Sequence, residues 1–265
     1  MNATRTRLPL RAVAGALLPL ALLAGCGSGD SGDAGGASEG SSQSAESGGS
    51  DEPLTTDTAM DAIKAAYDDS RTAAITLTIG GGNGQSIEAE GVLEIDEQTT
   101  DMAMTMTIPG QGDIDLRVID EIVYVQTPDS GGKFLSVDPS DESNPLAAQF
   151  SQLADSSGLD STFDAFDAGL RDVEFQESTT IGDDEVDHYV FTVDTAAALE
   201  AQGQQAPQGM PEQLEYDVYL DSEDRFRRVD LEVAGSQTRI DIDKWGEPVE
   251  IEKPADDQIT EPPGA

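Results

Sequence analysis

Hydrophobic residues along the chain follow two periods. Behind Thr55, Thr56 and Asp57, the spacing of Ala59, Met60, Ile63, Ala66 and Tyr67 predicts a helix ending near Asp69 or Ser70. Asp57 and Asp61 suit its positive end. The pattern then alternates. Ile75, Leu77 and Ile79 predict one strand; Ile87, Ala89, Gly91, Leu93 and Ile95, opposite Glu88, Glu90 and Glu94, a second; Met102, Met104, Met106 and Ile108 a third. Asn83-Gly84 marks the hairpin between the first two. Ile114, Leu116 and Val118 begin a fourth strand, residues 122–125 form a fifth and 134–137 a short sixth. Polar residues at the intervening positions imply an antiparallel sheet with one wet face.

The middle of the chain returns to helical spacing, over residues 145–153 and again at Phe163, Phe166 and Leu170. Strands resume over 173–181 and 186–193, where Tyr189, Phe191 and Val193 share a face. A short helix over 195–202 and a Gln/Pro/Gly loop precede three final strands, over 214–220, 226–233 and 237–244. Strands and helices are segregated, so the fold class is α+β in a single domain rather than a parallel doubly wound sheet. About ten strands in one twisted antiparallel sheet curl, and the helices are expected on the concave side.

Both ends depart from this pattern. Arg5, Arg7 and Arg11 precede an apolar run over residues 12–23, which closes on Leu23, Ala24, Gly25 and Cys26. This is the charge order of a secretory signal, and the run falls short of the roughly 20 apolar residues that span a bilayer. Residues 27–53 are almost wholly Gly, Ser, Asp, Glu, Ala and Gln. They carry too little apolar surface to offset their ordering entropy and form a flexible tether, with a reach of roughly 30 Å. Residues 254–265, acidic with three prolines, are expected to form a disordered tail. The expected division is therefore 1–25 signal peptide, 26–53 lipidated cysteine and tether, 54–253 folded domain and 254–265 tail.

The net charge is −39. Residues 1–25 hold three of the fourteen basic residues and no acidic ones, which leaves about −42 on the remainder. Such a charge excludes nucleic acid as a partner, because phosphate binding needs clustered Lys and Arg. It also opposes a protein lying flat on an anionic membrane. With one cysteine there is no intrachain disulfide.

Candidate chemistry is sparse. His188 is the only histidine, on a strand and opposite in face to Tyr189, so a multi-histidine metal site is excluded. No nucleophile-elbow pattern accompanies it. Asp221, Glu223 and Asp224 lack the glycine and terminal glutamate of an EF-hand loop and read as a hairpin turn. Gly80 to Gly84 lacks the Lys-Ser/Thr of a phosphate loop. Arg225, Arg227 and Arg228 are expected to pair with nearby carboxylates. No catalytic residue, metal or cofactor is expected, and the protein is not expected to be an enzyme.

Met102, Met104 and Met106 stand out. Methionine is unbranched and polarizable, so three on one strand face make an adaptable apolar wall. The same stripe suits an irregular core against a helix, which is the default for an apolar stripe, and both readings stay open at this stage. Ala89 and Gly91 nearby leave room for a ligand or for a closely packed helix.

Leu23-Ala24-Gly25-Cys26 resembles a bacterial lipobox, after which Cys26 carries the lipid. The tether, the strand order and several short motifs are similar to the LppX/LprAFG group of actinobacterial lipoproteins. The motifs are Ile181-Gly182-Asp183-Asp184-Glu185-Val186-Asp187-His188-Tyr189, Val218-Tyr219-Leu220-Asp221, Arg227-Arg228-Val229, and the ending Trp245-Gly246-Glu247-Pro248-Val249-Glu250-Ile251-Glu252-Lys253-Pro254. The likeness covers roughly residues 54–256. It implies a LolA-like half-barrel wrapping a few helices around an apolar cavity. It also implies an extracytoplasmic lipoprotein, anchored to the cell membrane through Cys26, that binds or moves an acylated lipid or lipoglycan. Met102, Met104, Met106, Ile114, Leu116, Tyr189 and Phe191 are the expected lining of that cavity. The competing expectation is a non-carrier envelope module with a filled core that senses or docks a protein; on either reading a monomer is expected.

Overall fold

The computed structural model describes residues 52–80, 86–95, 100–141, 147, 150, 159–207, 209–233 and 235–260. Cys26, the tether as far as residue 51, the Asn83-Gly84 turn and most of the helix expected over 145–153 lie outside them. Of that last segment, Ala147 is buried and Phe150 half-buried.

Helix α1 (Ala59–Asp69) leads into a first meander: β1 (Thr72–Gly80), β2 (Ser86–Ile95), β3 (Thr100–Ile108), β4 (Gly112–Ile119), β5 (Ile122–Gln126) and β6 (Phe134–Val137). Helix α2 (Leu159–Gly169) opens the second, comprising β7 (Leu170–Ile181), β8 (Asp184–Asp194), helix α3 (Thr195–Ala201), β9 (Gln213–Leu220), β10 (Phe226–Val233) and β11 (Ser236–Asp243). A two-residue strand, β12 (Ile259–Thr260), ends the described chain.

All twelve strands form one sheet in the order β12-β6-β5-β4-β3-β2-β1-β11-β10-β9-β8-β7. The two meanders join where β1 pairs antiparallel with β11, Leu77 opposite Ile240. Every pairing is antiparallel except β12 with β6. The expected α+β class holds, with twelve strands rather than about ten. The additional pairing comes from the segment expected to be a disordered tail. Through Thr260 that segment is ordered, because Ile259 and Thr260 pair with Phe134 and Leu135.

Helix α1 is amphipathic, and Ala59, Met60, Ile63 and Tyr67 are buried against the sheet. Its N-cap is Thr58 rather than the expected Thr55–Asp57 group; Thr55 and Thr58 instead bond to each other, Thr55 N donating to Thr58 Oγ1 at 3.0 Å. Tyr67 meets Phe163, Phe226 and Trp245 edge-on, with centroids 5.3, 6.1 and 5.0 Å away. Burial pushes its phenol pKa well up. Trp245 Nε1 donates to Phe226 O at 2.9 Å. Helix α2 adds Phe166 against Tyr216 at 5.5 Å and pairs with α1 through Asp167 and Lys64. Both helices cover the same face of the sheet, its inner face.

The outer face is not uniformly wet. Ile119, Tyr124 and Phe134 form a second buried cluster there, and Ile122, Ile251 and Ile259 pack on it. Residues 244–258 therefore act as a strap, running from the end of β11 across the sheet to its far edge. Gly246 N donates to Thr72 O at 2.9 Å, Arg117 donates to Glu252 O, and Pro254 is buried. The Trp-Gly-x-Pro ending is this strap.

Candidate functional site

Strand alternation places the seven expected wall residues on the inner face. The register links three of them, Ile114, Met106 and Tyr189, in one row across nine strands: Ile114, Met106, Ala89, Leu77, Ile240, Val229, Val218, Tyr189 and Phe175, each opposite the next. A parallel row on the first meander reads Ile75, Gly91, Met104, Leu116, Val125 and Leu135. A third reads Ala73, Leu93, Met102, Val118, Val123 and Val137.

The two halves of this face differ in cover. On β8, Tyr189 and Phe191 are 3 % and 0 % exposed. Tyr189 is held by Phe175 at 5.5 Å and Phe191 at 6.3 Å. Its hydroxyl accepts from the backbone N of Leu54 at 3.2 Å, so the chain enters the domain on the inner face with Leu54 buried. Burial is the main cause that raises the Tyr189 pKa, and Asp187 and Asp224 add to it against the Leu54 bond. Tyr216, also inner, is pushed up to about 12 by burial.

On the first meander the apolar face is less covered. Met102 and Met104 are buried. Met106, Ile108, Ile114, Leu116, Val118, Val125 and Leu135 are only half-buried. Apolar surface of this kind, held together by register and left partly open, is what a hydrophobic ligand would cover at about 25 cal/mol per Å².

The small residues have a cause the pattern did not reveal. A Cβ on Gly91 would lie 2.5 Å from Ala103 O and 3.0 Å from Met104 Cβ. What approaches Gly91 is the next strand, rather than a helix or a ligand.

The polar candidates lie elsewhere. His188 is on the outer face, stacked on Tyr219 at 4.4 Å and 8°, with Nε2 at 2.8 Å from Asp217. Arg225 pairs with Asp221 and Glu223, Arg227 with Asp184, and Arg228 with Asp241, which meets the expectation of ion pairing. Asp221 organises its hairpin, accepting from Glu223 N at 2.9 Å and Arg225 N at 3.1 Å. Among the described residues no His, Cys, Asp and Glu cluster is arranged to hold a metal ion, and no helix is long and apolar enough to cross a membrane.

Sequence reasoning missed Val118, Val123, Val125, Leu135 and Val137 as part of the wall. The alternation in 122–125 and 134–137 was visible; the strand order that aligns it with the methionines was not.

The fold is shared with the lipoprotein LppX and with LprF. LppX from Mycobacterium tuberculosis aligns at a TM-score of 0.54 and 12% identity, over 74% of this chain and 98% of LppX. LprF from Mycobacterium bovis aligns at 0.51 and 15% identity, over 78% of this chain and 99% of LprF. No protein-family model and no curated protein matches the sequence.

Proposed function

We propose that this protein is an extracytoplasmic lipoprotein, anchored to the membrane by a lipid on Cys26, that binds the acyl portion of a lipid or glycolipid on the inner face of β2 to β5. The observation that carries this reading is the half-buried apolar surface of Met106, Ile114, Leu116 and Val125, continuous with buried Met102 and Met104. Each methylene transferred there from water is worth about 0.8 kcal/mol. A lipid leaving a bilayer must find comparable cover along its whole chain. The six residue steps from Met102 to Ile108 give about 20 Å of wall, more than half of the roughly 30 Å hydrocarbon core.

Tyr189 and Phe191 belong, on this reading, to the packed support beneath the helices, while Met104, Met106, Ile114 and Leu116 touch the ligand. A diacyl anchor on Cys26 keeps the domain at the membrane where such lipids lie.

Two measurements test the two parts. Metabolic labelling with palmitate should mark the wild-type chain and not Cys26→Ser; equal labelling would remove the anchor. Titration of the Cys26→Ser chain with a fluorescent acyl lipid below its aggregation threshold should saturate at a defined stoichiometry. Signal that rises without saturation would overturn the binding reading.

A further inference from the structure

We infer that the edge of β7 accepts an added strand from a partner protein, an extended segment in which cationic residues alternate with apolar ones. Among the described residues β7 pairs with β8 alone and ends the sheet. It is also the longest strand, twelve residues from Leu170 to Ile181. An edge strand of that length presents a row of backbone N–H and C=O groups to any extended segment alongside it. The other end of the sheet is built differently. There β12 is only two residues long and is backed by the strap, a short edge of the kind that resists further pairing.

The register of β7 sorts its side chains into two sets. Asp172, Glu174 and Glu177 lie opposite Thr192, Val190 and His188, so all three belong to the outer face. The register shift between Phe175 and Glu177 keeps Glu177 there; without the extra residue, Gln176, alternation would turn it inward. All three carboxylates are exposed. On the opposite side of the same strand Phe175 is 39 % exposed, the one large hydrophobic residue so open among the described residues. Its ring meets Tyr189 at 5.5 Å on the β8 side, and a strand added beyond β7 would cover more of it.

These two sets define the occupant. Side chains directly opposed on neighbouring strands attract when unlike in charge and repel when alike. Lysine or arginine at alternate positions would meet Asp172, Glu174 and Glu177 on the outer face, while the apolar residues between them would turn toward Phe175. A second copy of this chain is the wrong partner. It would bring the same carboxylates to the seam, on a protein whose net charge is −39. Arg171, the cation of β7, is already paired with Asp194. This edge is separate from the acyl wall on β2 to β5, and neither reading depends on the other.

The test uses the full chain carrying Cys26→Ser and a fluorescent peptide of alternating lysine and valine, as long as Asp172–Ile181. Two further versions carry N-methyl groups on every lysine amide or on every valine amide. An added strand hydrogen-bonds through only one of its own edges, so one methylated peptide should bind like the parent and the other about tenfold more weakly. Amide exchange should slow over residues 172–181 when the parent binds. Glu174→Lys combined with Glu177→Lys should weaken the parent about tenfold. Equal binding of all three peptides would reduce the contact to charge attraction without strand addition and overturn the inference. An affinity untouched by the two reversals, or protection confined to other strands, would overturn it as well. Sedimentation showing a dimer with its β7 amides protected would overturn the choice of partner.

Discussion

Gly91 on β2 faces Met104 on β3 so closely that a Cβ on the glycine would sit 3.0 Å from the methionine Cβ. The pinch draws the two strands together in the middle of the apolar wall and holds Met104 buried beside half-buried Leu116. Because the nearer obstacle, at 2.5 Å, is the backbone oxygen of Ala103, no rotamer change relieves it.

Gly91→Ala should accordingly destabilise the domain by overpacking, by about 1–3 kcal/mol, seen as a fall of several degrees in Tm. An unchanged Tm would mean that the strands part without cost.

Tyr67 joins α1 to α2, β10 and the strap. Tyr67→Ala should cost about 3–5 kcal/mol, read by the fluorescence of Trp245, the single tryptophan, whereas Tyr67→Phe keeps the ring contacts and should cost much less. The phenols also set an alkaline limit. Tyr67 and Tyr216 hold their protons more tightly folded than unfolded, Tyr216 up to about 12. Their contribution is fully present below the unfolded tyrosine pKa of about 10 and is lost as pH rises through the folded values. Denaturation midpoints should fall above pH 10, with phenolate absorbance appearing together with unfolding. Phenolate titrating in the folded protein near pH 10 at both residues would contradict this.

Asp224 runs the other way from a stabilising carboxylate. Burial, then the charges of Asp221 and Asp187, raise its pKa, so its ionised form works against folding at neutral pH and the penalty is relieved as pH falls. Its backbone is left-handed, φ 57°, a conformation asparagine tolerates well. Asp224→Asn should raise Tm at pH 7 by roughly 1–3 °C, and the gain should shrink in acid, where Asp224 itself is neutral. A lower Tm at pH 7 would show that the carboxylate has a favourable partner.

The strap covers the outer cluster through Ile251 and Ile259. Ile251→Asp places a charge against Ile119, Tyr124 and Phe134 and should cost about 1–3 kcal/mol. Limited proteolysis should then cut within residues 244–260 before the sheet is attacked. Equal resistance in both proteins would mean that the strap is held by its hydrogen bonds to Thr72 and Arg117 alone.

The helix over 59–69 and eleven of the strands are legible in the sequence, because periods of 3.6 and 2 are strong signals in segments such as Ile75–Leu77–Ile79 and Met102–Met104–Met106. Strand β12 is not, since Ile259 and Thr260 are too short to alternate and owe their pairing to the strap behind them. The cover on each apolar stripe is equally hidden. Phe191, fully buried, and Leu116, half-buried, read alike in sequence, and only the placement of α1 and α2 over the second meander separates them. The strap motif was legible as a motif, but its role depends on which strands lie between Asp243 and Ile259.

The most direct test compares wall and support by native mass spectrometry of chains purified from the host envelope. The Cys26→Ser chain should carry a non-covalent adduct of lipid mass; Leu116→Asp, placing a charge on the half-open wall, should lose that adduct while keeping its cooperative unfolding. Protein mass alone before any substitution, or an adduct that persists undiminished in folded Leu116→Asp, would contradict an acyl site on β2 to β5.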